Sequence, residues 1–306
     1  MIRDLPQTTT AAVAKLLVRL RDEGGAVALG RVLTLVIDVG DGDVEGPVAA
    51  ANDASREHPC RVIVLARADR DAGPMVDAEV RLGGDAGASE VVVVRAPGQM
   101  LEDADTLIMP LLLPDAPIVV WWPHHIPEDP SQDPVGRMAQ RRITDSVACS
   151  EPLRALARLR EVHAKGNTDM AWTRLTVWRG LAAASLDQPP YLPVERVVVT
   201  GDAEHPSVDL LAAWFAQGLR CEVAIERVPG AIGITRVSLE RADGDVVIDR
   251  PDGRTATITQ PDRPARRTAM PMRELDECLA EELRRLDDDE VYGETLITGM
   301  PRVGAA

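Results

Sequence analysis

A chain of 306 residues is about twice a typical domain, and with 45% hydrophobic residues it can fill two cores. Its formal charge of -15 argues against an extended nucleic-acid or anionic-membrane surface, because binding a phosphate backbone requires clustered Lys and Arg. No run approaches the ~18 apolar residues of a membrane span, and MIRDLPQTTT lacks the apolar stretch of a secretion signal, so a cytoplasmic location is expected.

Thr8 to Thr10 are cap candidates for a first helix striped by Val13, Leu16, Leu17 and Leu20 and ended by Gly24-Gly25. The β-branched run Arg31 to Val39 predicts a strand buried on both faces. A helix from about Pro47 to Glu57 and a strand from Arg61 to Ala66 complete a βαβ unit. Strands are predicted at 78–82 and 90–94, a helix over 98–109, and a buried strand from Pro117 to Trp122. Asp133-Pro134 predicts a helical start, followed by a short strand around Val147 and a helix over 152–164. Gly166-Asn167 breaks the chain, and Asp169 is placed to cap a helix running to about Ser185.

In the second half, strands are predicted over 195–200 and 221–227 with a helix over 207–217 between them. A meander over 232–240, 245–249 and 255–259 turns at Asp243-Gly244 and Asp252-Gly253. A last helix over 272–286 carries Leu275, Leu279, Leu283 and Leu286 on one stripe. The fold class read from this order is α/β (α+β): two α/β domains with mixed sheets, residues 1–166 and 167–306, joined by a helical segment. Their shared β-α-β cadence hints at kinship.

Chemistry is mostly unwritten. There is no GxxxxGK[ST], no GxGxxG after a strand, no GxSxG and no HExxH, so no catalytic residue and no cofactor has an address. Cys60, Cys149, Cys221 and Cys278 form no CxxC pair, which argues for reduced thiols. Asp41-x-Asp43-x-Glu45-Gly46 imitates the start of a calcium loop, but Asn52 stands where the bidentate Glu belongs, and a solvated turn is expected. His124-His125 lacks a third ligand nearby, and Arg263, Arg266 and Arg267 read as an exposed basic loop. No metal site is expected.

Four of the five tryptophans fall in two places, Trp121-Trp122 at a strand end and Trp172 with Trp178 on one helix. Successive strand residues face opposite ways, and Pro123 follows at once, so one of the paired rings is expected near an edge or groove. Arg174 and Arg179 lie beside the helical tryptophans, where a guanidinium stacks on indole or meets an acidic partner. The segments LPDAPIVVWW (113–122) and DMAWTRLTVWR (169–179) resemble the OpcA family, the glucose-6-phosphate dehydrogenase assembly proteins, in its actinobacterial type. The resemblance implies a non-catalytic partner that binds glucose-6-phosphate dehydrogenase and favours its active conformer or oligomer. Trp121, Trp122, Asp169, Trp172, Arg174, Trp178 and Arg179 are the contact candidates. The alternative is a sugar-phosphate or nucleotide sensor or enzyme, with its site where strands end in loops, beside Gly201-Asp202 or Arg67 to Arg70. A general scaffold also stays open, and self-association is unread.

Overall fold

The computed structural model describes residues 1–23, 31–68, 73–83 and 90–304. The expected helix end at Gly24-Gly25, most of the 83–88 loop and Arg70 lie outside these. The chain forms two compact units. One is made of Met1–Ala148, Gly166–Thr168 and Glu274–Asp288, the other of Cys149–Lys165, Asp169–Arg273 and Asp289–Ala306.

The first unit opens with β1 (Ile2–Thr8), α1 (Thr10–Glu23), β2 (Leu33–Gly40), α2 (Glu45–Ala54), β3 (Cys60–Arg67), β4 (Val76–Arg81) and β5 (Glu90–Ala96). It continues with α3 (Gly98–Leu101), α4 (Ala104–Ile108), β6 (Ile118–Trp122) and β7 (Arg141–Thr144). With β8 (Asn167–Asp169), the strands make a sheet ordered β1-β4-β5-β3-β2-β6-β7-β8. Strands β5, β3, β2, β6 and β7 are parallel, β4 is antiparallel to β5, and β1 at the edge is antiparallel to β4. The Val- and Ile-rich runs suit this centre, because helices cover both faces and leave no polar side to the pleat. Val13 and Leu17 of α1 share a core cluster with Val36, Ile63, Val92, Val120 and Trp122.

Three predicted elements differ. Residues 98–109 form two short helices. Asp133 does not start a long helix, because its Oδ1 accepts from the amides of Val135 and Gly136 and holds only a tight turn at Gly136–Met138. The short strand lies at β7, before Val147. Its arginines disguised it, since Arg141 and Arg142 are buried by dedicated partners. Arg141 donates through Nε and Nη2 to Glu282 Oε2 at 3.0 and 2.5 Å, and Arg142 donates to Asn167 Oδ1. Glu282 sits on α9 (Leu275–Arg284), which packs against α2 with Cys278, Leu279 and Leu283 buried. A reciprocal Glu274–Glu277 box caps that helix.

The second unit contains α5 (Pro152–Glu161), α6 (Met170–Thr173), α7 (Thr176–Leu186), β9 (Arg196–Gly201), α8 (Pro206–Leu219), β10 (Glu222–Arg227), β11 (Ile234–Glu240), β12 (Val246–Asp249), β13 (Thr255–Thr259), β14 (Arg266–Ala269) and α10 (Glu290–Glu294). Its sheet runs β10-β9-β11-β12-β13-β14, parallel only between β9 and β10. Both turns of the meander fall where Asp-Gly predicted them, with Gly244 and Gly253 at φ +117° and +67°. The expected 169–185 helix is two, α6 and α7. The segment read as a basic loop contains β14, an exposed edge strand whose arginines guard its open side.

Candidate functional site

In each unit a parallel strand turns directly into a helix, β2 into α2 and β9 into α8. In the first unit the strand order β5-β3-β2-β6-β7 reverses direction between β2 and β6, the point where open α/β sheets form a ligand crevice. The loop from β2 to α2 is Gly40-Asp41-Gly42-Asp43-Val44. Asp43 turns its carboxylate back onto the helix start. Its Oδ2 accepts from the Gly46 amide at 2.7 Å and its Oδ1 from the Glu45 amide at 3.2 Å, and these bonds hold the carboxyl below the usual range. A carboxylate of the chain itself therefore occupies the helix N-terminus that would receive a nucleotide phosphate.

The surrounding charge agrees. Asp41 pairs with Arg67, Glu45 pairs with Arg81, and Asp38 lies 3.6 Å from His125 Nε2. The contact with Asp38 raises the His125 pKa, and burial raises that of Asp133. His124 Nε2 lies 3.0 Å from the Asp43 carbonyl, and its ring fills the space a side chain at Gly42 would need. The acidic turn and the His pair thus belong to one loop network. Among the described residues no three His, Cys, Asp or Glu side chains converge on a metal position.

The second unit is built differently. A recess at the end of β9 is lined by Arg174, Trp178, His205, Gly233, Arg250 and Arg273 among others, and none of its lining residues is acidic. Arg250 is 5% exposed. Its Nη2 donates to the Ile234 carbonyl at 3.1 Å and its Nη1 to that of Met270 at 3.4 Å, its Nε has no partner, and no carboxylate pairs with it among the described residues. Burial lowers its pKa, opposed by the charge of Asp252. The guanidinium lies 5.0 Å from the centre of the Trp178 ring. His205 caps α8, its Nδ1 accepting from the Ser207 amide, which leaves Nε2 as the ring's second nitrogen.

The residues singled out from the sequence fall into two groups. Trp121 and Trp122 are both fully buried, on opposite faces of β6, and neither indole nitrogen has a hydrogen-bond partner. The expected edge or groove exposure of one ring is therefore corrected: both rings are fully buried, so a strand end followed by Pro123 is still interior. Asp169, Trp172, Arg174, Trp178 and Arg179 come together in the second unit. Asp169 Oδ1 caps α6 through the Ala171 amide, and Trp172 Nε1 donates to Asp289 Oδ2. Arg179 stacks 3.7 Å over Trp172, while Trp178 carries Arg250. Asp169, Trp172 and Trp178 are buried, and only Arg174 and Arg179 keep side-chain surface. Arg250, Arg273 and His205 were missed, since isolated basic residues in loops carry no spacing signal.

Two family models cover most of the chain. The N-terminal one, described as "Glucose-6-phosphate dehydrogenase subunit N-terminal domain", matches residues 51–161, and its C-terminal counterpart matches residues 165–296. The chain belongs to the OpcA family. A curated relative, "Putative OxPP cycle protein OpcA" of Synechococcus elongatus, is 28% identical across 59% of this chain. The match covers 45% of that relative, so the chain spans less than half its length. Similar solved structures include the 3-ketoreductase KijD10 of Actinomadura kijaniata with NADP, at 11% identity and TM-score 0.49 over 90% of this chain and 96% of that one. Another is myo-inositol dehydrogenase of Lactobacillus casei, at 11% and 0.39 over 89% and 94%. TM-scores below 0.5 leave these likenesses without weight for function. No described helix of this OpcA-family chain is long and apolar enough to cross a membrane.

Proposed function

We propose that this chain is a non-catalytic partner that binds glucose-6-phosphate dehydrogenase and favours its active conformer or oligomer. The observation that carries the reading is the pair of family models, both described as parts of a glucose-6-phosphate dehydrogenase subunit, over 51–161 and 165–296. The first unit supports it physically, because its nucleotide-type strand order ends in a crevice closed by Asp43 and crowded with acids. A pyrophosphate finds the first amides of α2 already taken by that carboxylate. Without chemistry of its own, such a protein raises activity only by binding one state of the enzyme better than another. A ~100-fold preference contributes about 2.7 kcal/mol to that shift.

Of the residues the sequence singled out, Arg174 and Arg179 are the proposed contact positions, since the buried tryptophans offer a partner no surface. The test mixes this protein with the dehydrogenase of the same organism and follows mass and turnover together. A larger complex with raised activity or raised assembly is expected. Unchanged mass and unchanged rate refute the proposal, and full binding by a folded Arg174→Ala, Arg179→Ala double variant removes those two residues from the docking face.

A further inference from the structure

A strand at the rim of a sheet turns half of its backbone amides and carbonyls toward whatever lies beside it. Two edges of this chain are blunted from within. On β10, Gly304 donates to the Val223 carbonyl at 3.1 Å, and β1 carries Pro6, which has no amide to offer. Strand β14 has neither device. The Met270 amide donates to the Arg254 carbonyl at 2.7 Å, so in this antiparallel ladder the pairs Ala256–Thr268 and Ile258–Arg266 exchange the bonds with β13. By the same alternation, the amide and carbonyl of Arg267 and of Ala269 face away from the sheet.

The side chains along this open edge decide what fits it. Every residue of β14 is exposed, on both faces of the sheet. Arg266 and Thr268 share a face with Ile258 and line a groove with it and with Leu181 of α7, while Arg267 belongs to the opposite face. Although the chain carries a net charge of -15, Arg266 makes no ion pair among the described residues. Asp252, the acid whose charge reaches Arg267, has its Oδ1 taken by the amides of Arg254 and Thr255. Opposite charges facing each other across a strand pair are favourable, and like charges are not. A second copy is therefore a poor occupant, since two antiparallel β14 strands bring four guanidinium groups together. A strand with two neighbouring carboxylates sets one against each arginine, on the two faces, and an apolar residue beside them continues the Leu181–Ile258 groove.

We propose that β14 is a strand-addition site, where an extended acidic segment of another protein pairs with the outward backbone groups of Arg267 and Ala269 and sets neighbouring carboxylates against Arg266 and Arg267. The backbone bonds supply affinity, and the two arginines select for acids. The edge includes neither Arg174 nor Arg179 and does not presuppose the dehydrogenase, so its failure leaves the docking proposal standing and the converse also holds.

Fluorescence anisotropy of the full chain at low salt tests it, with a labelled, end-blocked Thr-Val-Glu-Glu-Val-Thr peptide as the probe and Thr-Val-Lys-Lys-Val-Thr as the control. Saturable binding of the acidic peptide alone is expected, with slower hydrogen exchange at the amides of Arg267 and Ala269. Ala269→Pro removes an outward amide and leaves the bonds to β13 intact, so it should weaken binding at least tenfold. The double variant Arg266→Glu, Arg267→Glu should lose the acidic peptide by a similar factor and take the basic one. Absence of saturable binding, equal binding of the two peptides, or unchanged affinity in a folded Ala269→Pro protein overturns the proposal. Should that variant not fold, the charge reversal decides alone, because it changes only exposed side chains. Sedimentation of the chain by itself is the remaining check: a concentration-dependent dimer that Ala269→Pro abolishes assigns the edge to a second copy and overturns the proposal as well.

Discussion

The two strand ends solve the same local problem in different ways. After β2, the chain supplies its own anion: Asp43 satisfies the amides of α2, and the acids around it are matched by Arg67, Arg81 and His125. After β9, Asp202 accepts from the amides of Glu204 and Gly230, His205 caps α8, and Arg250 lies buried against carbonyls. A strand-to-helix turn is therefore not a binding site by virtue of topology. What differs is the group that fills the helix start, the Asp43 carboxylate at α2 and the His205 imidazole at α8.

The widest separation between the two designs is energetic, and paired substitutions measure it. Arg141→Met takes from buried Glu282 the guanidinium that donates to it twice and is expected to destabilise by about 3–5 kcal/mol. Arg250→Met removes a cation that has no counter-charge but also the donor to the Ile234 and Met270 carbonyls, and is expected to cost about 1–3 kcal/mol. Urea unfolding of both variants checks this, and an equal loss in the two would erase the difference between an arginine held by a carboxylate and one held by carbonyls.

A smaller effect belongs to His125. Asp38 raises its folded pKa above the ordinary 6.5, so its stabilising contribution is complete below that value and disappears as pH rises through the folded pKa. The stability difference between wild type and His125→Gln should shrink from pH 6.5 upward in thermal melts, and a difference that stays flat from pH 5 to 8 would break the assignment. The smallest effect is at Asp43, whose folded pKa lies below 3.8 because backbone amides hold the charged form. Its contribution is present above 3.8 and lost as pH falls through the folded value. An Asp43→Asn protein should therefore be modestly less stable at neutral pH and approach wild type in acid.

Much of the architecture could be read along the chain. The Val- and Ile-rich runs announced the buried parallel strands, the Asp-Gly pairs announced both hairpins, and Asp169 announced a helix start, all because the cause lies within a few residues of the effect. Strand β7 was misplaced for the opposite reason. Its arginines look like surface until Glu282, 141 residues further on, and Asn167 are seen to neutralise or cover them. Likewise the paired tryptophans looked like an edge, since nothing local says that both faces of β6 are covered.

The DxxWxRLxxWR segment shows the division most clearly. Its spacing alone marked aromatic and basic residues as belonging together and carried the family resemblance. The sequence by itself thus determined the α/β class with mixed sheets, the net negative charge and the family, because periodicity, charge and motif are local properties. Only the tertiary structure decided that Arg179 stacks on Trp172 while a distant Arg250 covers Trp178 and lies against two backbone carbonyls. Burial and charge pairing depend on what arrives from elsewhere in the chain, and that arrival is set by packing.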